Sequence, residues 1–151
     1  MDREVEVYTD GGCHGNPGPG GWAFVVRRGD DVVSKNGFER RTTNNRMELI
    51  AVISALEHLR SDGATTQKPI AIHTDSQYVK RGITEWIARW VANGWRTSGK
   101  KAVKNRDLWE HLLELSAEFS IEWKWVRGHH GVELNEECDR LVQEAINSAE
   151  K

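Results

Sequence analysis

Two stretches, Val5-Glu6-Val7-Tyr8-Thr9-Asp10 and Ile70-Ala71-Ile72-His73-Thr74-Asp75, decide the fold. Each is a short run rich in β-branched and aromatic residues, the pattern of a strand. Each ends on an aspartate. Between and beyond them the periodicity becomes helical. Leu49, Val52, Ile53, Leu56 and Leu59 recur at spacings of three and four, which puts them on one helix face. Thr43, Asn44 and Asn45 are suitable N-caps, and Glu48 follows Asn45 by three residues, as in a capping box.

Working outward, residues 22–28 and 32–41 read as two more strands, separated by the turn Gly29-Asp30-Asp31. Residues 4–41 therefore predict an antiparallel meander. Gly11 to Gly21 holds six glycines and two prolines and reads as a loop that can approach a ligand closely. Residues 61–68 form a polar loop, and Ser76 caps further helix. Asp107–Phe119 is helical, Ile121–Val126 alternates as a fifth strand, Gly128–Gly131 is a turn, and Leu134–Ala149 is a final amphipathic helix. The order β-β-β-α-β-α-α-α-β-α calls for parallel crossovers joining strands one, four and five. The predicted fold class is α/β, a mixed five-stranded sheet with helices on both faces. Active sites of such sheets gather at the carboxyl ends of strands.

At 151 residues the chain predicts one domain, 1–151. Cys13 and Cys138 form neither a metal spacing nor a disulfide framework and fit a reduced, cytoplasmic setting. The start Met1-Asp2-Arg3-Glu4 has no apolar signal run, and no stretch is long enough to span a bilayer. Net charge is −2, but residues 80–106 carry eight Lys/Arg against the single acid Glu85. A basic segment on an acidic remainder is a candidate polyanion contact, although most charge runs are simply solvated faces.

Four acids stand out: Asp10 and Asp75 at strand ends, Glu48 at a helix start, Asp139 on the last helix. Singly, each has a plain structural explanation as turn residue, cap or surface residue. Together they predict an all-oxygen pocket suited to Mg²⁺ and to metal-assisted phosphate chemistry.

The motifs Tyr8-Thr9-Asp10-Gly11-Gly12, Gly15-Asn16-Pro17-Gly18-Pro19-Gly20-Gly21, Thr43-Asn44-Asn45-Arg46-Met47-Glu48, Thr74-Asp75-Ser76-Gln77-Tyr78-Val79, Trp125-Val126-Arg127-Gly128-His129 and Asn135-Glu136-Glu137-Cys138-Asp139 run in this order along essentially the whole chain. In them the sequence resembles type 1 ribonuclease H of the bacterial kind. The resemblance implies a ribonuclease H-like fold and cleavage of the RNA strand of an RNA–DNA hybrid, with a 5′-phosphate left on the product. It implies that Asp10, Glu48, Asp75 and Asp139 bind metal: Mg²⁺ with Mn²⁺ as substitute, two ions when substrate is bound. It places a catalytic imidazole at His129, in a pKa range suited to proton transfer. It assigns Cys13, Asn16, Asn44, Asn45 and Gln77 to sensing 2′-hydroxyls, and Thr43 to a DNA-strand phosphate pocket. Trp86, Trp90, Trp95, Arg96, Lys100, Lys101 and Lys104 match its basic protrusion, although Val91-Ala92-Asn93 is less basic than in many relatives. A monomer without membrane attachment is expected, and a single-stranded-DNA-binding partner is not readable from the sequence. Two other readings remain: a strand-transfer or junction-cleaving enzyme on the same fold, and a non-catalytic hybrid-binding module.

Overall fold

The computed structural model describes residues 5–61, 69–97, 99–125 and 133–150. The elements are β1 (Val5–Cys13), β2 (Gly18–Arg28), β3 (Asp31–Thr42), α1 (Asn44–Ser61), β4 (Pro69–Thr74), α2 (Gln77–Arg81), a π-helical turn Gly82–Trp86, α3 (Ile87–Ala92), α4 (Arg106–Ser116), β5 (Ser120–Trp125) and α5 (Glu133–Glu150). One sheet holds all five strands in the order β3-β2-β1-β4-β5. β1, β2 and β3 pair antiparallel, while β1–β4 and β4–β5 pair parallel, as the crossover argument requires.

Helices cover both faces of the sheet. On one side α1 buries Leu49, Val52, Leu56 and Leu59 against Val7, Phe24, Ile70 and Ile72. Each such side chain contributes about 1.5–3 kcal/mol on burial. Ala51 and Ala55 on α1 are also fully buried, and α4 packs on α1 as well. On the other side α5 sets Cys138, Leu141, Val142 and Ile146 on Tyr8, Ala23 and Val25. Among the described residues, no helix is long and apolar enough to cross a membrane.

The glycine-rich stretch differs from its reading as a loop. β1 runs on through Gly11, Gly12 and Cys13, paired with Trp22, Gly21 and Gly20 of β2. Only residues 14–17 lie between the two strands. Several of these glycines serve packing rather than turning. A Cβ at Gly11 would fall 2.4 Å from Met47 C and 2.5 Å from Glu48 N, and one at Gly21 would fall 2.8 Å from Ala145 Cβ. Helix α1 crosses the sheet in contact with bare backbone, which only glycine permits.

Phe119 also falls outside the helix read over residues 107–119. α4 begins at Arg106 and stops at Ser116, so Phe119 is a buried residue of the following turn. The π-helical turn starts at Gly82, where a Cβ would meet the Trp109 ring at 2.0 Å. Extra residues of this kind in a helix often mark close contacts and functional sites.

Candidate active site

The pairing of β1 with β4 ends at Tyr8↔His73. Asp10 and Asp75 therefore stand just past the last paired rung, at the carboxyl side of two parallel neighbours. This is the point where strand order reverses, with β2 on one side of β1 and β4 on the other. Gly11 lets the first turn of α1 close on the same place, and α1 brings Glu48. The structure gathers Asp10, Glu48 and Asp75 so that one carboxylate oxygen of each lies within 4.8 Å of the other two.

Glu48 is the most constrained of the three. It is 6% exposed, and its Oε2 has no hydrogen-bond partner among the described residues. Burial pushes its pKa well above the ordinary value, and the neighbouring charges of Asp10 and Asp75 push it further. The Gly11 N–H, which donates to Asp10 Oδ1 at 3.0 Å, offsets part of that rise. A buried carboxylate held against two others by helix and strand is a costly arrangement without a cation. Hard oxygen donors at this spacing fit a divalent metal ion.

A native carboxyl with a raised pKa binds its proton more tightly than the unfolded chain does. Metal-free stability is therefore highest below the ordinary glutamate range and falls as pH rises from there through the raised native value. Glu48→Gln removes this dependence. In EDTA at neutral pH that variant melts higher than the parent by about 3 °C, the shift from about 1 kcal/mol in a domain of this size. Calorimetry at pH 4 and pH 8 measures it, and an equal melting temperature for parent and variant at both pH values contradicts it.

Asp139 does not join the group of three. It lies exposed on α5, although the charges of both Asp10 and Asp139 act on Cys138, the residue between Asp139 and the sheet. The Cys138 thiol donates to Tyr8 O at 3.3 Å and fixes α5 against β1 two residues before Asp10. His129 lies outside the described residues.

Several of the polar residues assigned to substrate are tied to the start of α1, the helix that carries Glu48. Thr43 Oγ1 accepts from Arg46 N–H at 3.3 Å as the cap of α1, and Asn16 Oδ1 accepts from Asn44 N–H at 3.0 Å. Capping thus holds the glycine loop to the helix start. Asn44, Asn45 and Gln77 are exposed. The Cys13 sulfur lies 2.7, 3.3 and 3.4 Å from the carbonyl oxygens of Gly15, Gly18 and Thr42, and its single S–H has all three as acceptors within reach. Its sulfur closes the loop, and burial raises its pKa.

The tryptophans of the basic segment pack in series, each ring tilted against the next. Ring centroids are 5.7 Å apart for Trp86 and Trp90 and 6.2 Å for Trp90 and Trp95. Trp109 lies beneath Trp90 and is fully buried, so the expectation of an aromatic core under a basic surface holds there. Trp86, Arg89, Trp90, Asn93, Arg96 and Thr97 line an open hollow of about 340 Å³. Arg96, Lys100, Lys101 and Lys104 are exposed. Sequence reading left Arg46, Tyr78 and Asn105 without a role, although the structure joins them in one network. No local spacing signals that link, because its partners lie far apart in the chain.

Fold and site together define an α/β protein of the ribonuclease H-like class, with a carboxylate cluster at the switch in strand order. The comparisons agree. The RNase H family model matches residues 2–147. A Ribonuclease H of Treponema denticola is 50% identical over 153 residues, covering 93% of this chain and 96% of its own. One of Xanthomonas campestris is 52% identical over 141 residues, covering 93% and 91%. Among solved structures, LC9-RNase H1, a type 1 RNase H with the type 2 active-site motif, superposes with TM-score 0.82 at 35% identity, covering 99% of this chain and 74% of that one. LC11-RNase H1 in complex with RNA/DNA hybrid gives 0.73 at 26% identity, covering 98% and 100%. The chain belongs to the RNase H family, and it is a ribonuclease H enzyme.

Proposed function

We propose that this chain is an endoribonuclease that hydrolyses the RNA strand of RNA–DNA hybrids with a divalent metal ion, leaving 5′-phosphate and 3′-hydroxyl ends. The observation that carries this reading is the buried Glu48, with its unpartnered Oε2, facing Asp10 and Asp75. Asp10, Glu48 and Asp75 would hold Mg²⁺, with Mn²⁺ as substitute, and Asp139 would complete the set from α5. The bound cation would supply charge neutralisation at the scissile phosphate and an activated water.

The chain's own groups account for selectivity. Asn16, Asn44, Asn45, Gln77 and the Cys13 loop set polar atoms and backbone beside the acids, where 2′-hydroxyls of one strand can be sensed without reading bases. Thr43, beside the α1 amino end, would grip a DNA-strand phosphate. His129 would handle a proton at the leaving group. The bound hybrid of LC11-RNase H1 supports the substrate class. In this reading residues 1–151 act as one catalytic domain, monomeric and cytoplasmic, in removing RNA primers and R-loops.

The test is cleavage of an end-labelled hybrid with and without Mg²⁺, beside single-stranded RNA and double-stranded DNA. Cleavage of the hybrid's RNA strand alone, and only with the cation, is the expected result. Hybrid binding without metal-dependent cleavage would overturn it.

The basic segment yields a separate prediction. Each cation on a phosphate steepens the log–log salt dependence of binding by about one. Lys100→Ala/Lys101→Ala should weaken hybrid binding and flatten that slope by about two. An unchanged slope in a filter-binding titration would make the two lysines merely solvated.

A further inference from the structure

We propose that Arg46 is a positioning residue for the hybrid. Its guanidinium ties the amino end of α1, with Asn44, Asn45 and Glu48, to the turn leading from the basic segment into α4. The inference rests on the functional reading above and gives a role to a residue that the motifs leave idle.

Arg46 Nη1 donates to Asn105 Oδ1 at 3.1 Å and to Asp107 Oδ1 at 3.2 Å, while Nη2 donates to Asp107 Oδ2 at 3.1 Å. Two parallel bonds to one carboxylate form the fork geometry that only arginine offers. The Arg46 side chain is 31% exposed and that of Asp107 66%, so the pair faces solvent on the acid's side and holds by its two-bond geometry. Its hydrogen bonds hold the Asp107 carboxyl below the usual range. Asn105 adopts the left-handed region at φ 60°, a conformation asparagine tolerates better than most residues. Its Nδ2 donates to Tyr78 Oη at 3.1 Å, and Trp109 Nε1 donates to the same oxygen at 3.0 Å. Tyr78 directly follows Gln77 on α2, three residues after Asp75.

One unbroken series of side-chain bonds therefore joins α1, the Asn105 turn and α2. Each segment borders part of the proposed site: the asparagines and Glu48, the basic loop ending at Lys104, and Asp75 with Gln77. Arg46 and Asn105 are 59 residues apart in sequence, and no strand ladder connects their segments. A hybrid must touch the acids and the basic segment at once, so fixing their spacing in advance lowers the ordering cost of binding.

Steady-state cleavage of a hybrid duplex by the parent, Arg46→Lys, Asp107→Asn and the double variant tests this. KM should rise roughly tenfold in each single variant, the size of one lost charge-assisted bond pair, with kcat within about twofold. The double variant should be no worse than either single. Asp107→Asn separates the alternatives, because deleting a surface acid from a polyanion binder ordinarily tightens binding, whereas loss of the clamp weakens it. A KM for Asp107→Asn at or below the parent's would overturn the inference alone. So would a salt slope flattened by about one in a further variant, Arg46→Gln, which removes the charge that lysine keeps and would thereby put Arg46 on a phosphate. Failure of the parent itself to cleave the hybrid would overturn the functional reading and the inference with it.

Discussion

Asp10→Asn is expected to abolish metal-dependent cleavage while the protein stays folded. The side chain lies at the end of the β1–β4 ladder, one of three whose oxygens converge within 4.8 Å. Asparagine keeps the volume and one acceptor oxygen but removes the charge. Its neutral oxygen is a much weaker ligand for a hard divalent ion. Rate should fall about a thousandfold or more, equal to about 4 kcal/mol of transition-state stabilisation. Stability should move the other way. The Asp10 charge is among the causes of the raised Glu48 pKa, so removing it relieves a repulsion the apo protein bears. A melt in EDTA should show the variant at or above the parent, and the hybrid assay should show no product above background. A variant that cleaves at the parent's rate would remove Asp10 from the site.

Gly11→Ala is the substitution with the largest expected effect on the fold. The new Cβ would lie 2.4 Å from Met47 C, 2.5 Å from Glu48 N and 2.6 Å from Met47 O. All three are helix backbone, so no rotamer change relieves the clash and α1 must move away from β1. Overpacking of this kind costs about 3 kcal/mol, or about 9 °C in melting temperature. The displaced helix also carries Glu48 out of reach of Asp10 and Asp75, so activity falls in the fraction that remains folded. Gly12→Ala is the matched control. Its Cβ meets Val142 Cγ1 at 3.5 Å and Ile146 Cδ1 at 3.8 Å, both ordinary contacts, so the variant should be close to neutral. Urea unfolding of the two variants beside the parent measures the contrast. Equal midpoints would show that α1 adapts freely.

Much of this was legible in the linear pattern. Alternation in residues 5–10 and 70–75 located the two central strands, and the three- and four-residue spacing of Leu49 to Leu59 located α1. Strand-to-strand connections through helices then required parallel pairing of β1, β4 and β5. The role of the glycines was not legible. Gly11 and Gly21 look like loop residues because sequence shows the absence of a side chain but not the helix that occupies its place.

The site divides along the same line. The identity of the acids, the N-capping run Thr43 to Asn45 and the concentration of charge in residues 80–106 are local properties, fixed by short-range periodicity and composition. The convergence of Asp10, Glu48 and Asp75, the burial of Glu48 and the Arg46–Asp107 clamp depend on contacts between segments far apart in the chain. Sequence determined which residue types were available and the order of strands and helices that carries them. Tertiary structure alone decided that α1 lies close enough to β1 to bury a carboxylate against two others. The energy of that arrangement depends on distance and desolvation, and neither exists until the chain is folded.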